Sequence, residues 1–252
     1  PRAESPVFYW LNQAQGGEFN AALQSMCRIY PRYFASDMLI TFARNMGFLE
    51  DPKFLEAMQA EARTEQDQSL VWRLHTLCWA AANAFKLQGD FVECGVFQGF
   101  STAVTARYLD FGKQARTWYL YDTFSGIPAD QINPGQQNPA QYQDPGLYDG
   151  VRQRFAQYRN IKVVRGRVPE VFAEATPQSI AFMHLDMNSA AAEMGALEVL
   201  FERMVPGGFL VLDDYGWYAY RAQKLAGDPF FRKHGCPVLE LPTGQGLVIK
   251  TG

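Results

Sequence analysis

From Asp90 onward, short apolar runs alternate with segments of helical spacing. FVEC (91–94), TWYLY (117–121), IKVV (161–164), IAFMHL (180–185) and FLVL (209–212) have the length and character of strands, and helical segments begin near Ser101, Gly150, Pro169 and Ser189. This alternation predicts a parallel sheet covered by helices on both faces. The end of the chain departs from it. PVLEL and GLVIK flank PTGQ, a glycine-containing connection short enough for a hairpin, so the last two strands are expected to be antiparallel.

Residues 1–88 hold helical patterns and little that resembles sheet. The clearest predicted helix spans Asp67 to Leu87, where Leu70, Leu74, Leu77, Ala81 and Phe85 recur at helical spacing; Thr64 offers a cap and Gly89 a stop. His75 lies off that stripe and reads as solvent-facing or locally bonded. DMLITFARNMGFLEDPKF sets Arg44 and Asn45 in apolar surroundings, as a substrate-facing edge or an exposed helix face. Residues 129–149 are rich in Pro, Gln and Gly, the composition of a lid or a disordered loop.

Composition narrows the function classes. A chain of 252 residues that is 48% hydrophobic can bury a sizeable core. A net charge of -3 without any Lys/Arg run supplies no basic field for nucleic acid or acidic membrane, which favours a small-molecule partner. No apolar run approaches the ~18 residues of a membrane span, and no basic start leads into an apolar run. Pro1 in place of Met leaves room for a removed leader. Cys27, Cys78, Cys94 and Cys236 are scattered without metal-type spacing, which suggests buried thiols in a reducing cytoplasm.

In an open parallel sheet, ligands bind beyond the carboxyl ends of the strands. The first strand delivers ECGVFQGFST, with Glu93, Gly95, Gly99, Ser101 and Thr102; its glycines would let the backbone approach a ligand, although the spacing is not that of dinucleotide binders. The second ends at Asp122, placed either to accept from both hydroxyls of a ribose or to cap a turn. The fourth ends at Asp186 and the fifth at Asp213 and Asp214. Three carboxylates in one crevice repel unless protonated or joined by a cation. Oxygen ligands suit a hard ion such as Mg²⁺; the alternative is that one aspartate caps a helix and another binds a backbone amide.

FVECGVFQGFST, YDTFSGIP, LDMN, VPGGFLVLDDYGW and LPTGQGLVIK, in that order, resemble the class I S-adenosylmethionine-dependent methyltransferases. More closely, they resemble the macrocin O-methyltransferase type of metal-dependent sugar O-methyltransferases, the TylF/MycF/NovP group. The resemblance implies an α/β Rossmann-like sandwich with a seven-stranded, mostly parallel sheet, an antiparallel C-terminal hairpin and a helical N-terminal extension or lid. Residues 1–88 would form the extension and 89–252 the cofactor-binding domain. Glu93, Gly95, Gly99, Ser101, Thr102, Asp122 and Asp186 would line the cofactor site, with Gly166 and Arg167 near the adenine. Asp186, Asp213 and Asp214 would hold the metal.

Relatives commonly carry an acid two residues after the first metal aspartate as general base, whereas LDMN places Asn188 there, and an amide cannot accept a proton at ordinary pH. No lysine follows Asp186, since Ser189 and Ala190 stand there. His184 shares the side of Asp186 by alternation but lies one step deeper, as a core histidine would, and His234 lies in a polar turn. The implied chemistry has two adjacent substrate oxygens on Mg²⁺, one of which loses its proton and attacks the sulfonium methyl. Tyr142, Tyr148, Trp217 and Tyr218 are placed to stack on a sugar ring or to pack. The expected partner is a small-molecule or glycan acceptor, with a homo-oligomer compatible and neither nucleic acid nor membrane insertion expected. A cofactor-binding module without catalysis and a metal-dependent glycosyltransferase are the alternatives. The phosphatase pattern of a second acid two after Asp122 is broken by Phe124.

Overall fold

The protein is described here by a computed structural model covering the backbone of Ala3–Glu4 and residues 11–252. It divides into two compact units, Pro1–His75 and Thr76–Gly252.

The first unit contains β1 (Ala3–Glu4), α1 (Gln13–Ile29), β2 (Tyr33–Ser36), β3 (Leu39–Phe42), α2 (Pro52–Glu61), α3 (Glu65–Ser69) and the start of α4 (Val71–Ala84). Its three-stranded sheet, in the order β1-β2-β3, corrects the expectation of an all-helical extension. Turn chemistry and β-branching explain the difference. Asp37 and Met38 both have positive φ, 47° and 59°, the mirror-image turn that matches strand twist, and Ile40 and Thr41 favour the strand that follows. The Arg73 guanidinium fixes the turn by donating from Nε and Nη2 to the two oxygens of Asp37, at 3.0 and 2.9 Å. Arg44 and Asn45 lie exposed on irregular chain after β3.

The predicted helix from Asp67 to Leu87 is two helices, divided at Leu70. Thr64 caps the first reciprocally: its hydroxyl accepts from Asp67 N at 3.0 Å while Asp67 Oδ2 accepts from Thr64 N at 3.0 Å. Leu74, Leu77 and Ala81 are buried, as their spacing requires. His75 is not solvent-facing. Its ring stacks on Phe48 at 4.7 Å and meets Phe54 edge-on at 5.9 Å; burial lowers its pKa, opposed by Asp51.

The second unit contains β4 (Asp90–Cys94), α5 (Phe100–Tyr108), β5 (Trp118–Asp122), α6 (Leu147–Phe155), β6 (Ile161–Arg165), β7 (Ile180–Leu185), α7 (Ala190–Leu200), β8 (Met204–Leu212), α8 (Arg221–Lys233), β9 (Leu239–Glu240) and β10 (Gly246–Ile249). They form a seven-stranded sheet in the order β6-β5-β4-β7-β8-β10-β9. Strands β4 to β8 pair in parallel, and β10 is antiparallel to both neighbours. This is the architecture the alternation and the final hairpin predict. The segment at Pro169 forms only one 3₁₀ turn, Glu170–Ala173, and α8 was not anticipated.

Strand β7 is the central strand of the seven, and all six of its residues are buried. Side-chain alternation sends Met183 and Leu185 into a cluster with Val92, Leu210, Leu212 and residues Leu197, Leu200 and Phe231 of α7 and α8. Phe182 joins a second cluster with Phe91 and Trp118. Each fully buried side chain of this size contributes roughly 1.5–3 kcal/mol. The result is a rigid platform under the strand ends. Cys78, Cys94 and Cys236 are buried free thiols and Cys27 is half-buried. No helix among the described residues is long and apolar enough to cross a membrane.

Candidate active site

The exits of β4, β7 and β8 converge. Asp186 N donates to Cys94 O at 2.9 Å and Asp213 N to Leu185 O at 2.9 Å, so each new chain segment is hydrogen-bonded to the strand beside it. Gly95, with φ 86°, lies so close to Asp186 that a Cβ there would fall 1.9 Å from the Asp186 carbonyl oxygen. Gly99, with φ 72°, leaves room for the Phe155 ring, and Gly166 for Val171. Gly95 and Gly99 were expected to let the backbone approach a ligand, and Gly166 to fall near the adenine. The contacts seen are with the chain itself, which needs their missing side chains to bring the turns together.

Donor atoms of His184, Asp186 and Asp213 lie within 4.8 Å of one another. The histidine does not serve as a ligand in this arrangement. Its Nδ1 bonds Glu93 Oε1 at 2.8 Å and its Nε2 faces Asp213 Oδ1 at 3.4 Å. Burial opposes a charge on the ring, but hydrogen bonds to Asp213 and Glu93 raise its pKa to about 10. The two flanking acids thus favour the protonated ring against the opposing effect of burial. Gln245 Nε2 donates to Asp213 Oδ1 at 2.9 Å, and Thr243 Oγ1 donates to Gln245 Oε1 at 2.9 Å, which extends the network to the β9–β10 connection.

Two residues expected to line the cofactor site have buried side chains that bond each other. Glu93 and Thr102 are 2% and 1% exposed, and the Thr102 hydroxyl donates to Glu93 Oε2. A buried carboxylate needs such donors, so both side chains turn inward. Ser101 stays half-exposed in the first turn of α5. That helix has Gly99 as its N-cap, which offers its first amides no capping side chain. Asp122 Oδ2 accepts from Val96 N at 2.7 Å and Phe97 N at 2.9 Å, and Oδ1 accepts from Phe124 N at 2.7 Å. The turn role considered for this aspartate is thus realised, and its carboxylate fastens β5 to the glycine turn. Arg167 pairs with Asp130 through two bonds, at 3.0 and 2.6 Å.

The segment 129–149 is fastened to the exit of β7. Ser189 Oγ donates to Gln131 O at 2.6 Å, Ala190 N donates to Asn133 Oδ1 at 3.0 Å, and the Asn188 carbonyl accepts from Asn133 Nδ2 at 3.2 Å and Gln136 Nε2 at 2.9 Å. Asn188 has φ 52°, a conformation that asparagine tolerates better than most residues. Gln131, Asn133 and Gln136 were not singled out in the sequence, where amides in a polar tract carry no mark of their partners. Of the four aromatics placed near the acceptor, Tyr142 reaches Asn188, Tyr148 packs on Phe124 at 5.3 Å, Trp217 covers Gly244, and Tyr218 is 85% exposed. His234, the residue after α8, bonds back to that helix through Nδ1 to Phe230 O at 2.8 Å.

Behind the acids, Glu193 of α7 is buried and accepts from Gln223 of α8. Burial raises its pKa to about 8; Gln223 opposes the shift, and Asp186 and Asp213 add to it. The folded chain then holds a proton that an unfolded glutamate, near 4.5, releases. This stability is fully present below about pH 4.5 and is lost as pH rises through about 8. Glu193→Gln should leave the melting temperature unchanged near pH 4.5 and raise it by several degrees at pH 9. Parallel melting curves at both pH values would refute the burial argument.

The strand order, with its antiparallel final hairpin and a crevice at the carboxyl ends, defines the class I methyltransferase fold. The family described as Macrocin-O-methyltransferase (TylF) matches residues 45–236, and the chain belongs to it. Mycinamicin III 3''-O-methyltransferase of Micromonospora griseorubida is 27% identical over 158 residues, 57% of this chain and 62% of that protein. The 8-demethyl-8-(2,3-dimethoxy-alpha-L-rhamnosyl)-tetracenomycin-C 4'-O-methyltransferase of Streptomyces olivaceus is 28% identical over 159 residues, 57% of this chain and 59% of that protein. The matches thus span about six tenths of the length of these relatives. In fold, the chain is similar to the O-methyltransferase NovP, with a TM-score of 0.62 at 18% identity, over 73% of this chain and 82% of that one.

Proposed function

We propose that the chain methylates a sugar hydroxyl on a glycosylated natural product or polysaccharide precursor, using S-adenosylmethionine and a divalent cation such as Mg²⁺. The observation that carries this reading is the meeting of Asp186 and Asp213 at adjacent strand ends, with Asp214 next in the chain, against the glycine turn that begins α5. Carboxylate oxygens suit a hard cation, so Asp186, Asp213 and Asp214 would hold the metal. The α5 turn, Ser101 and Asp122 would hold the cofactor. When bound, the cofactor supplies an electrophilic methyl and the cation makes a nearby hydroxyl more acidic.

The chain's own part is orientation and proton handling. Asn188 cannot take the acceptor's proton, and both ring nitrogens of His184 face acids, Glu93 and Asp213, that favour its protonated form. The three aspartates and water remain as proton acceptors. One relative is named a 3''-O-methyltransferase of mycinamicin III and the other a 4'-O-methyltransferase of a rhamnosyl-tetracenomycin, which favours a glycoside over a simple phenol. Glycosides incubated with S-adenosylmethionine and Mg²⁺ should gain the mass of one methylene, and chelator should abolish the gain. Tight binding of S-adenosylhomocysteine with no transfer to any glycoside or catechol would instead identify a binding module.

A further inference from the structure

The tip of the final hairpin closes on the turn that carries Asp213 and Asp214. Gly216 N donates to Gly244 O at 2.8 Å, and a Cβ on Gly244, whose φ is 81°, would fall 2.2 Å from the Trp217 Nε1. The hairpin tip and the aspartate turn are thus packed backbone to backbone. Two side chains of the tip turn inward: Thr243 is 3% exposed and Gln245 is fully buried. A buried carboxamide is costly unless its donors and its acceptor find partners. Gln245 meets that demand by donating from Nε2 to Asp213 Oδ1 at 2.9 Å and accepting at Oε1 from the Thr243 hydroxyl at 2.9 Å. His184 Nε2 faces the same Asp213 oxygen at 3.4 Å. A carboxylate held through one oxygen from two sides cannot turn about its Cβ–Cγ bond, so the place of its other oxygen is set as well.

We propose that Gln245, steadied by Thr243, is a positioning residue for the divalent cation: it fixes the rotation of Asp213, and the final hairpin thereby sets metal affinity without touching metal or substrate. Partners of this kind, one bond behind a ligand, are commonly worth ~10–100-fold in metal affinity. Thr243 acts only through Gln245, because without its hydroxyl the buried amide oxygen loses its donor. This inference rests on the reading of Asp186, Asp213 and Asp214 as the metal ligands.

The test uses Mn²⁺ as the probe, since the free aqueous ion gives a six-line electron paramagnetic resonance signal that disappears on binding. It is titrated into the full chain with S-adenosylhomocysteine present, so that no turnover enters the measurement. Gln245→Leu, close in size but without a donor, should weaken Mn²⁺ binding by ~10-fold or more. Thr243→Val keeps the shape and removes the hydroxyl, and should weaken binding by ~3–10-fold, whereas Thr243→Ser keeps the hydroxyl and should bind as wild type does. A packing role for Thr243 predicts the reverse order, because valine retains the methyl group that serine lacks. Adding Thr243→Val to Gln245→Leu should cost nothing further. Affinity for S-adenosylhomocysteine should stay at its wild-type value throughout. Unchanged Mn²⁺ affinity in Gln245→Leu, or weaker binding by Thr243→Ser than by Thr243→Val, would overturn the positioning role alone. Failure of the wild-type chain to bind Mn²⁺ would remove the metal reading as well.

Discussion

Asp213→Asn is expected to lower methyl transfer by at least ~10²-fold while the chain stays folded. Asp213 is 4% exposed and sits where three demands meet: the crevice, the His184 ring and the Gln245 amide. Asparagine retains a carbonyl oxygen that can still accept from Gln245, and His184 keeps its 2.8 Å partner Glu93. The ring therefore remains paired, and the melting temperature should fall by only a few degrees. What the substitution removes is one negative charge at the crevice. A cation held by fewer carboxylates binds more weakly, so the Mg²⁺ concentration giving half-maximal activity should rise sharply. Activity at saturating Mg²⁺ within threefold of wild type would show that Asp213 does not hold the cation.

The same network shows why the acids at the strand ends were legible in the sequence and their partners were not. Asp186, Asp213 and Asp214 stand at strand ends, and strand ends are legible because apolar runs stop abruptly there. The partners of those acids are not legible. Glu93 and His184 are 91 positions apart, and only the neighbouring register of β4 and β7 places one beside the other. Thr102 follows a glycine turn and so resembled a ligand-facing residue, but Glu93 required a donor in the core. Asp122 illustrates the same limit, since its carboxylate ties down amides that a linear pattern cannot show to be adjacent.

The fold was legible wherever burial was strongest. The five parallel strands and the final hairpin lie where short apolar runs predicted them, because both faces of a parallel sheet are covered. Helix α8 escaped notice because Gly227 and Pro229 interrupt it, and a proline inside a helical pattern ordinarily signals an end. In the N-terminal unit, β2 and β3 hinge on Asp37 and Met38, and methionine is an uncommon residue at positive φ. No turn signal of the usual Asn-Gly type marked that hairpin.

Gly95→Ala should have the largest effect on the protein as a whole. Two independent costs coincide at this residue. Its φ of 86° lies in the left-handed region, where a Cβ costs roughly 1–2 kcal/mol. The added carbon would also lie 1.9 Å from the Asp186 carbonyl oxygen and 3.1 Å from the Met187 Cα, both backbone atoms that cannot rotate away. Relief requires the β4 and β7 exits to separate, which would strain the Asp186 N to Cys94 O bond, at an overpacking cost of about 1–3 kcal/mol or more. The sum is a large share of the ~5–15 kcal/mol that typically stabilises a domain. Gly99→Ala tests the argument by contrast, because its nearest clash, at 2.7 Å, is with the Phe155 ring, a side chain able to shift. Gly95→Ala should therefore melt at the lower temperature of the two and show the greater loss of S-adenosylhomocysteine binding. Equal melting temperatures would mean that the approach of Gly95 to Asp186 does not hold the site together.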